Sequence, residues 1–388
     1  MEIIKTAVIG SGFMGSAHIE ALRRIGGCEI RAIVSDDLPR ARQLASQFNI
    51  PLVLDDWRKL MDDEEIQVIH NCTPNYLHFE INKAAILAGK HVISEKPLTM
   101  TSHESAELIA LLKNRPRAVH AINFNYRMYP LIQQARSMVS QGDLGDIYLA
   151  QGHYLQDWLF YASDYNWRLE SGLSGQSRAV ADIGSHWCDL VQFITGRRIK
   201  GLFARLKTIH LLRHKPQATI ETFKGKEQGQ TADFKKIPID TEDVASVIFE
   251  LDNGAQGVFT VSQVSAGRKN HFWFEIDGSR KAISWNQEEP NQLWIGYRDQ
   301  ANEILIKDPA LLGDRARSFA HYPGGHPEGY PDGPKNLFAR VYDFIRQGKN
   351  LHHNEADFPT FEDGHWENQI VEAILDSHQK KQWVELQL

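Results

Sequence analysis

The sequence has little of what an extracellular, membrane or nucleic-acid-binding protein needs. Its 388 residues include only three cysteines, Cys28, Cys72 and Cys188, which stand far apart in apolar surroundings. No apolar run approaches the ~20 residues of a membrane-spanning helix. Lysine and arginine number 43 against 49 acidic residues, for a net charge of −6, and no basic block is present. We therefore expect reduced thiols, and neither nucleic acid nor a membrane as a partner.

Targeting segments and metal-ligand clusters are also missing from the pattern. The first predicted strand begins at Ile3, which leaves no room for a signal or transit peptide, so a cytoplasmic protein is expected. The 17 histidines show no compact ligand spacing, so no metal is expected. A hydrophobic content of 42% with 24% charged residues is typical of a globular protein. The length predicts two domains rather than one core.

A strand, a glycine turn and a helix follow one another near the N-terminus. Residues 3–9 are predicted to form a short buried strand, Gly10-x-Gly12-x-x-Gly15 follows directly, and apolar residues at helical spacing continue to Gly26. Gly10 permits the tight turn, Gly12 lets the backbone approach a pyrophosphate, and Gly15 lets the helix close onto the strand. The helix N-terminus then faces the phosphates. A glycine turn alone is weak evidence, but in this context it predicts a dinucleotide site.

Strands and helices alternate over residues 1–124. Strands are predicted at 29–34, 66–72, 91–94 and 118–124, and helices at 39–48, 77–87 and 102–113. Such alternation predicts a Rossmann domain with a doubly wound parallel sheet, whose ligand lies beyond the carboxyl ends of the strands. Gly10, Thr73 and Glu95 all fall at such ends, so we expect their three loops to border one crevice.

The residues after the second strand bear on the choice of dinucleotide. Ser35, Asp36 and Asp37 follow Gly15 by about 20 residues, where the adenosine ribose is usually met. A carboxylate there accepts from the ribose hydroxyls and repels a 2′-phosphate, which favours NAD. Ser35 could tolerate a phosphate and Arg40 lies nearby, which leaves NADP open. The aspartates are equally compatible with capping the next helix.

The second predicted domain, residues 125–388, is richer in strands. A helix is predicted at 130–140 and strands at 147–154, 199–208, 244–251, 255–263, 272–277 and 281–285. Hairpin signals at 252–254 and 277–279 join adjacent strands. The whole chain is therefore expected to be α/β, with a C-terminal α+β domain built on a large, open, mostly antiparallel sheet. Residues 210–236 are expected to form an irregular surface excursion.

An aromatic loop precedes a candidate catalytic helix. Trp158, Tyr161, Tyr165, Trp167 and Arg168 crowd the segment after the strand at 147–154. Aromatic faces stack on sugar C–H surfaces, and Arg168 could donate twice to vicinal hydroxyls. The aromatics could equally just attach a long loop to the core. A second loop, at 322–330, offers His326 as a weaker candidate for the same pocket.

Asp182 and His186 stand four residues apart on a predicted helix at 182–194, so their side chains share a face. An imidazole with its ordinary pKa near ~6.5 suits the acceptance of a proton from a carbinol. Asp182 would fix its tautomer, and Lys96 would polarise the substrate oxygen. An isolated pair of this kind more often caps a helix, so it is the cofactor pattern upstream that favours catalysis.

Four motifs together resemble the glucose–fructose oxidoreductase, inositol dehydrogenase and rhizopine catabolism family. They are the glycine turn, Thr73-Pro-Asn75-x-x-His78, Glu95-Lys96-Pro97 and Asp182-Ile-Gly-Ser-His186-x-x-Asp189. The resemblance implies that Lys96, Asp182 and His186 are the catalytic set, with Lys96 beside the nicotinamide, and that Pro97 is often cis. It also implies that another subunit covers the open sheet in a homodimer or homotetramer.

Two sets of binding residues are predicted on this basis. For the dinucleotide they are Gly10, Gly12, Phe13, Met14, Gly15, Ser35, Asp36, Arg40, Thr73, Asn75, His78, Glu95, Lys96 and Asn125. For the substrate they are Lys96, Tyr126, Arg127, Trp158, Tyr165, Trp167, Arg168, Asp182, His186 and His326.

The predicted activity is NAD-linked oxidation of a secondary hydroxyl on a sugar, glycoside, anhydrosugar or cyclitol. Gln156-Asp157-Trp158, with Tyr165-Asn166-Trp167-Arg168, resembles the levoglucosan dehydrogenase branch, which implies oxidation at carbon 3 of a pyranose ring. Three alternatives stay open: an inositol dehydrogenase, a glycosidase that uses transient oxidation by NAD and elimination, and a regulator that senses the nucleotide without turnover.

Overall fold

The computed structural model describes residues 3–216 and 234–387, which divide into two compact units. One comprises Met1–Asn125 and Tyr330–Asn368, and the other Tyr126–Gly329 and Gln369–Leu388. The first unit thus includes residues 330–368, which the sequence analysis assigned to the second domain. Part of the reason is an ion pair between Arg24 and Asp332 at 2.5 Å, a partnership between residues too distant in sequence to be read from it.

A six-stranded parallel sheet forms the centre of the first unit. Its strands are β1 (Ile4–Ile9), β2 (Cys28–Val34), β3 (Leu52–Leu54), β4 (Val68–Asn71), β5 (His91–Ser94) and β6 (His120–Ile122). Between them run the helices α1 (Phe13–Arg23), α2 (Leu38–Phe48), α3 (His78–Leu87) and α4 (Ser102–Leu112). The strand order β3-β2-β1-β4-β5-β6 confirms the predicted doubly wound sheet. Strand β3 was not predicted because three residues after a proline show no periodicity.

The second unit contains a larger sheet and most of the remaining elements. Its strands are β7 (Ile147–Leu155), β8 (Ile199–Lys207), β9 (Leu212–Pro216), β10 (Phe234–Pro238), β11 (Val244–Leu251), β12 (Gln256–Ser262), β13 (His271–Gly278), β14 (Ala282–Asn286), β15 (Gln292–Gly296), β16 (Glu303–Ile306) and β17 (Val384–Glu385). The helices that follow α4 along the chain are α5 (Pro130–Ser140), α6 (Ser171–Ser174), α7 (Ser185–Thr195), α8 (Asp314–Arg317), α9 (Asp332–Arg346) and α10 (Phe361–Lys380). Of these, α9 and the first residues of α10 belong to the first unit.

Nine of these strands form one sheet in the order β16-β15-β14-β13-β7-β12-β11-β8-β17. Every pair is antiparallel except β7 and β12, which run parallel. The predicted large, mostly antiparallel sheet is therefore confirmed. Helix α7 packs on this sheet through Trp187, whose ring stacks on that of Phe259 with centroids 4.6 Å apart. The helix that carries His186 is thus anchored to the sheet.

The expectation of an irregular excursion at residues 210–236 was wrong at both ends. Strands β9 and β10 pair antiparallel as a separate two-stranded sheet, while residues 217–233 lie outside the described part of the chain. The reason is a buried cation: the Arg213 guanidinium donates to Asp243 at 2.7 Å and to the Leu159 carbonyl at 2.9 Å. The polar sequence of residues 210–236 suggested exposure, but Arg213 within it is buried and ion-paired.

Among the described residues, none of the helices combines the length and apolar character needed to cross a bilayer.

Two buried histidines of the first unit should make its stability sensitive to acid. The Nδ1 atoms of His91 and His120 accept from the backbone N–H groups of Val119 and Phe361, at 3.0 and 3.2 Å. Burial lowers the pKa of each ring from 6.5 to about 4. Since the unfolded chain takes up these protons first, stability should fall as the pH drops from about 6.5 to about 4 and level off below.

Thermal unfolding across this pH range tests the expectation. Asparagine keeps an acceptor near the position of Nδ1 but does not titrate, so His91→Asn and His120→Asn should each flatten the dependence of Tm on pH. An unchanged slope in the double variant would contradict the assignment.

Candidate active site

The glycine turn has the geometry that its sequence predicted. Gly10 has φ +111°, and a Cβ atom there would lie 2.5 Å from the Cys72 carbonyl oxygen; one on Gly15 would lie 2.0 Å from the Gly10 carbonyl oxygen. Only glycine fits at either position. A Cβ atom on Gly12 would meet no atom of the described chain within 4 Å. Gly12 therefore presents open backbone at the start of α1.

This helix start fits an anionic group. Gly12 is the N-cap of α1, with no side-chain cap and no acidic residue in the first turn among the described residues. Uncapped N–H groups at a helix N-terminus favour phosphate. Phe13 and Met14, the first residues of the helix, lie beside Tyr330: the Phe13 and Tyr330 rings stack at 6.3 Å, and the Tyr330 hydroxyl donates to the Met14 sulfur at 3.5 Å. The predicted pyrophosphate site is thus bordered by Tyr330, which was not among the predicted dinucleotide-binding residues.

The two aspartates after β2 have different environments: Asp37 caps a helix and Asp36 is exposed. Asp37 caps α2 by accepting from the Arg40 backbone N–H at 3.1 Å, so the capping interpretation holds for Asp37. The buried Ser35 hydroxyl is 2.7 Å from the Ser11 hydroxyl. Asp36 remains exposed at the strand end. Asp36 is therefore the candidate for the adenosine ribose, and that role stays a prediction.

Side-chain amides join the loops that follow β4 and β5. The Thr73 hydroxyl donates to Asn71 at 2.7 Å, Asn71 donates to Asn82 at 2.9 Å, and Asn82 donates to Ser94 at 3.0 Å. This chain is internal to the protein and fixes the Thr73 loop against the strand that leads to Glu95. Asn75, in the same loop, is buried.

His78 fastens the Lys96 loop. Its Nδ1 lies 2.7 Å from the Pro97 carbonyl oxygen and its Nε2 lies 2.9 Å from that of Thr73. The peptide bond between Lys96 and Pro97 is cis, as the resemblance implied. Both ring nitrogens of His78 have protein partners, so the structure gives this residue a role in holding the loops, and its contact with a cofactor stays a prediction.

A buried donor at the carboxyl end of β6 fits a ligand. Asn125 is 3% exposed, and its Nδ2 has no hydrogen-bond partner in the described part of the chain. Buried amide donors are seldom left unsatisfied in native proteins. Asn125 was predicted to bind the dinucleotide, and the carboxyl ends of the strands are where ligands bind in such sheets. The residues of the first unit therefore fit the cofactor that their motif predicts.

In the second unit, Asp182 lies within a π-helical turn, Val180–Gly184, that leads into α7. The sequence predicted a plain helix beginning at 182. The turn starts where the Glu242 carboxylate accepts from Ser177 Oγ at 2.8 Å and from the N–H groups of Arg178 and Val180 at 3.0 and 2.9 Å. Such turns often mark functional sites. This one could not be predicted from the local sequence, because it depends on Glu242, a partner distant in sequence.

Both carboxylate oxygens of Asp182 have cationic or amide partners. Gln263 Nε2 donates to Oδ2 at 3.0 Å, and Arg168 Nε lies 3.4 Å from Oδ1. The Gln263 amide is itself oriented, because Arg178 Nη1 donates to its Oε1 at 2.8 Å. Gln263 was not predicted as a site residue. Its position at the end of β12 was the one signal that could have indicated it.

A tyrosine ring packs against His186. The ring of Tyr126 meets that of His186 edge-on with centroids 4.9 Å apart. The Tyr126 hydroxyl is 2.8 Å from that of Tyr154 and accepts from Asn270 Nδ2 at 3.1 Å. Burial raises the pKa of Tyr126, which keeps its phenol protonated. Tyr126 thus lies beside His186, with its hydroxyl held by two partners that were missed, and its predicted contact with substrate stays a prediction.

The other predicted substrate residues are not all gathered in one place. Arg127 is buried and forms a two-point ion pair with Asp189, Nε to Oδ2 at 2.9 Å and Nη2 to Oδ1 at 2.5 Å. Tyr165 donates to Glu170 and packs with a small apolar cluster. These contacts show that both residues stabilise the fold. For Tyr165 this favours the alternative that the aromatic residues attach a long loop to the core. Their contact with substrate stays a prediction.

Arg168 and Trp167 lie together near Asp182. The Arg168 guanidinium stands 4.4 Å from the Trp167 ring centroid, and the same side chain reaches Asp182. Trp158 is 38% exposed.

His326 is exposed on a loop whose backbone is held by the buried Lys307, which donates to the His326 carbonyl at 2.9 Å. No group of acidic, cysteine or histidine side chains able to hold a metal occurs among residues 3–216 and 234–387.

Comparison with known proteins decides the family. The NAD-binding Rossmann-fold domain of the oxidoreductase family matches residues 4–122, and the GFO/IDH/MocA C-terminal domain matches residues 132–284. This chain belongs to the GFO/IDH/MocA oxidoreductase family. It is therefore an NAD(P)-dependent oxidoreductase with an NAD-binding domain, as the four motifs predicted.

Relatives of this GFO/IDH/MocA protein include dehydrogenases of sugars and cyclitols. Levoglucosan dehydrogenase of Pseudarthrobacter phenanthrenivorans is 29% identical over 408 residues, covering 100% of this chain and 99% of that protein. A solved structure of levoglucosan dehydrogenase with NADH and L-sorbose aligns with a TM-score of 0.88 at 28% identity, covering 100% of both chains. An inositol dehydrogenase homologue from Azotobacter vinelandii, solved with NAD+, aligns with a TM-score of 0.85 at 26% identity, covering 99% and 98%.

Two substitutions in the glycine turn should separate cofactor binding from folding. Gly12→Ala adds a methyl group where the protein leaves space, so Tm should stay unchanged while NADH binds about 10-fold or more weakly, or about 1.4 kcal/mol. Gly10→Ala meets the Cys72 carbonyl and should lower Tm directly. NADH fluorescence titration and thermal unfolding measure the two effects. Full NADH affinity in Gly12→Ala would show that the pyrophosphate does not approach this backbone.

Proposed function

We propose that this GFO/IDH/MocA oxidoreductase oxidises a secondary ring hydroxyl of a sugar, glycoside or anhydrosugar to a ketone, with a levoglucosan-like substrate oxidised at carbon 3. The observation that carries the proposal is the environment of Asp182 and His186. A carboxylate with both oxygens engaged precedes a buried imidazole by four residues, beside a tyrosine ring and an arginine stacked on a tryptophan. The levoglucosan dehydrogenase relative adds support for the substrate class.

His186 would accept the proton of the reacting hydroxyl. Bound NAD supplies the acceptor for the hydride that leaves the same carbon. A neutral imidazole is suited to this proton transfer near neutral pH. Asp182, itself held by Gln263 and Arg168, would stabilise the imidazolium that forms. Because Arg178 fixes the Gln263 amide, Asp182 is restrained before the substrate arrives, which is the preorganisation that catalysis requires.

Lys96 would donate to the substrate oxygen as charge develops on it. Its loop is restrained by His78, through the carbonyls of Thr73 and Pro97. Trp167 and Arg168 would bind the ring face and a vicinal pair of hydroxyls. The guanidinium of Arg168 both stacks on Trp167 and approaches Asp182, so binding a substrate through Arg168 would also affect the catalytic carboxylate.

An inositol dehydrogenase is the second candidate. An inositol dehydrogenase homologue from Azotobacter vinelandii, solved with NADH and myo-inositol, is 26% identical with a TM-score of 0.83. Cyclitols and pyranoses present similar rings of secondary hydroxyls, so the same polar groups serve both.

A substrate panel scored for NADH formation tests the proposed activity. We expect oxidation of levoglucosan or a related glycoside with NAD, weaker activity with NADP, and slower oxidation of inositols. A product carrying a ketone with stoichiometric NADH separates dehydrogenation from the glycosidase alternative, which releases a free sugar without net NADH. Absence of NADH formation across sugars, glycosides and inositols would refute the proposal.

Substitutions at His186, at Lys96 and at Gln263, which orients Asp182, should lower turnover. His186→Gln and Lys96→Met should each lower kcat by about 10²- to 10⁴-fold, the usual contribution of a positioned acid or base. Gln263→Ala should have a smaller effect, about 10-fold, because it loosens Asp182 without removing it. NADH affinity measured by fluorescence should remain within about twofold in His186→Gln and Gln263→Ala, which lie outside the predicted dinucleotide set. A kcat retained in His186→Gln would remove the assigned base.

We further propose that the nine-stranded sheet forms a homo-oligomer interface. Ile248 is 54% exposed and pairs in register with Phe203 and Val258, which are 37% and 39% exposed. An exposed apolar row across three strands is typical of an interface.

Ile248→Lys should shift the protein to a smaller assembly in light scattering coupled to size-exclusion chromatography. Leu87→Lys is the matched control, since Leu87 is 50% exposed on a helix of the other unit. An Ile248→Lys variant with the wild-type mass, or a wild-type monomer, would exclude this interface.

A further inference from the structure

A continuous chain of hydrogen bonds runs through the interior of the first unit and ends at the residue before Lys96. Glu95 Oε1 lies 2.9 Å from His18 Nε2, His18 Nδ1 lies 2.9 Å from His70 Nδ1, and His70 Nε2 lies 3.0 Å from the Tyr342 hydroxyl. All four residues are 5% exposed or less. They come from α1, β4, the end of β5 and α9. Glu95 belongs to the predicted dinucleotide set, and the other three residues have no part in the proposed proton transfer.

The charge of Glu95 determines the direction of the first bond. Burial raises the pKa of this carboxyl, but the hydrogen bond from His18, the charge that His18 adds when it is protonated, the hydrogen bond from Asn123 and the charge on Lys96 outweigh burial and lower the pKa to about 2. Glu95 is therefore ionised and accepts only. His18 Nε2 must donate to it, and Asn123 Nδ2 donates to the same oxygen at 2.5 Å.

The remaining bonds can be arranged in two ways. Burial holds the pKa of His70 well below its usual value and that of Tyr342 well above its own, so His70 carries one proton and Tyr342 keeps its own. If His18 is neutral, Tyr342 donates to His70 Nε2 and His70 Nδ1 donates to His18. If His18 carries a second proton, both bonds reverse. In the first arrangement every donor of the chain has an acceptor within it. In the second, the Tyr342 hydroxyl proton needs an acceptor outside these four residues, and the Thr6 hydroxyl lies within hydrogen-bond reach of Tyr342.

The surroundings favour the neutral arrangement. The groups that face Glu95 are His18, Asn123, Lys96 and the Cys72 thiol, whose pKa burial and Glu95 both raise, so the thiol stays protonated. One carboxylate therefore has two candidate cations. Lys96 is half-buried and keeps part of its hydration, whereas His18 is fully buried. The positive charge costs less on Lys96 than on His18.

We infer that Glu95, His18, His70 and Tyr342 form a positioning chain for Lys96: all its donors point toward Glu95, and it holds a buried carboxylate as the counter-charge of the Lys96 ammonium. The inference rests on the proposed function for the role of Lys96 in the reaction, but not for the chain itself. Phe338 packs against both imidazoles, with ring centroids 4.6 and 4.9 Å away, which keeps water from competing for these bonds.

The proton positions can be measured without substrate or NAD. In the full chain labelled with ¹⁵N-histidine, long-range ¹H–¹⁵N spectra report the tautomer of each ring, and His18→Gln and His70→Gln supply the assignments. We expect one proton on each ring, on Nε2 of His18 and on Nδ1 of His70. A doubly protonated His18, or a proton on Nε2 of His70, overturns the inference.

Kinetics test the effect on Lys96. With the panel sugar that is oxidised fastest, Glu95→Gln removes the counter-charge, so the alkaline limb of kcat/KM should move to lower pH by about one unit, as expected for the loss of a nearby opposite charge. Tyr342→Phe is the matched control, because it breaks the far end of the chain but leaves the charge of Glu95. Its alkaline limb should not move, although its Tm should fall.

Equal shifts in Glu95→Gln and Tyr342→Phe, or a shift in neither, would mean that the chain is merely structural. If Glu95→Gln does not fold, the tautomers of the wild-type protein still decide the inference. Should the substrate panel fail altogether, the proposed function fails while the tautomer measurement still confirms or overturns the chain.

Discussion

Buried carboxylates that each accept several hydrogen bonds hold the segments on which the candidate site residues stand. Glu95 is fixed by His18 and Asn123 next to Lys96, and Glu242 gathers three donors at the turn that carries Asp182. A carboxylate removed from water costs several kcal/mol unless its oxygens find donors. Once those donors are in place, losing one partner is expensive, so each carboxylate restricts its segment to one conformation. The chemistry proposed for this protein depends on that restriction.

The same principle extends through the second unit. Asp243 lies between the buried guanidiniums of Arg178 and Arg213, and Arg178 also orients Gln263 toward Asp182. One buried arginine therefore links the ion pair that anchors the β9–β10 sheet to Gln263 and, through it, to the Asp182 carboxylate. A network of this kind transmits small displacements because its members are hydrogen-bonded and close-packed.

The fold was predictable to the extent that its signals are local. Alternating apolar runs and helical spacing predicted the parallel sheet, and Gly10, Gly12 and Gly15 could be read together because a strand, a turn and a helix adjoin them. Features that depend on distant partners were not predictable. The π-helical turn requires Glu242, and the return of residues 330–368 to the first unit involves Arg24 pairing with Asp332. Strands β9 and β10 were not predicted because their sequences are polar and nothing in them indicates that Arg213 is buried.

The candidate site shows the same division between local and distant information. Asp182 and His186 were found by their spacing, and Lys96 by its motif, but the residues that orient them were missed. Gln263, His70 and Tyr342 lie far from these motifs in sequence, and each is an ordinary residue until its partner is known. Reactive groups in an enzyme are often recognisable from short patterns because their chemistry restricts residue type. Supporting residues are restricted only by geometry, since any donor that reaches a buried carboxylate can serve. A change of substrate within this family can therefore alter the aromatic loop while the groups that hold Lys96 and Asp182 stay in place.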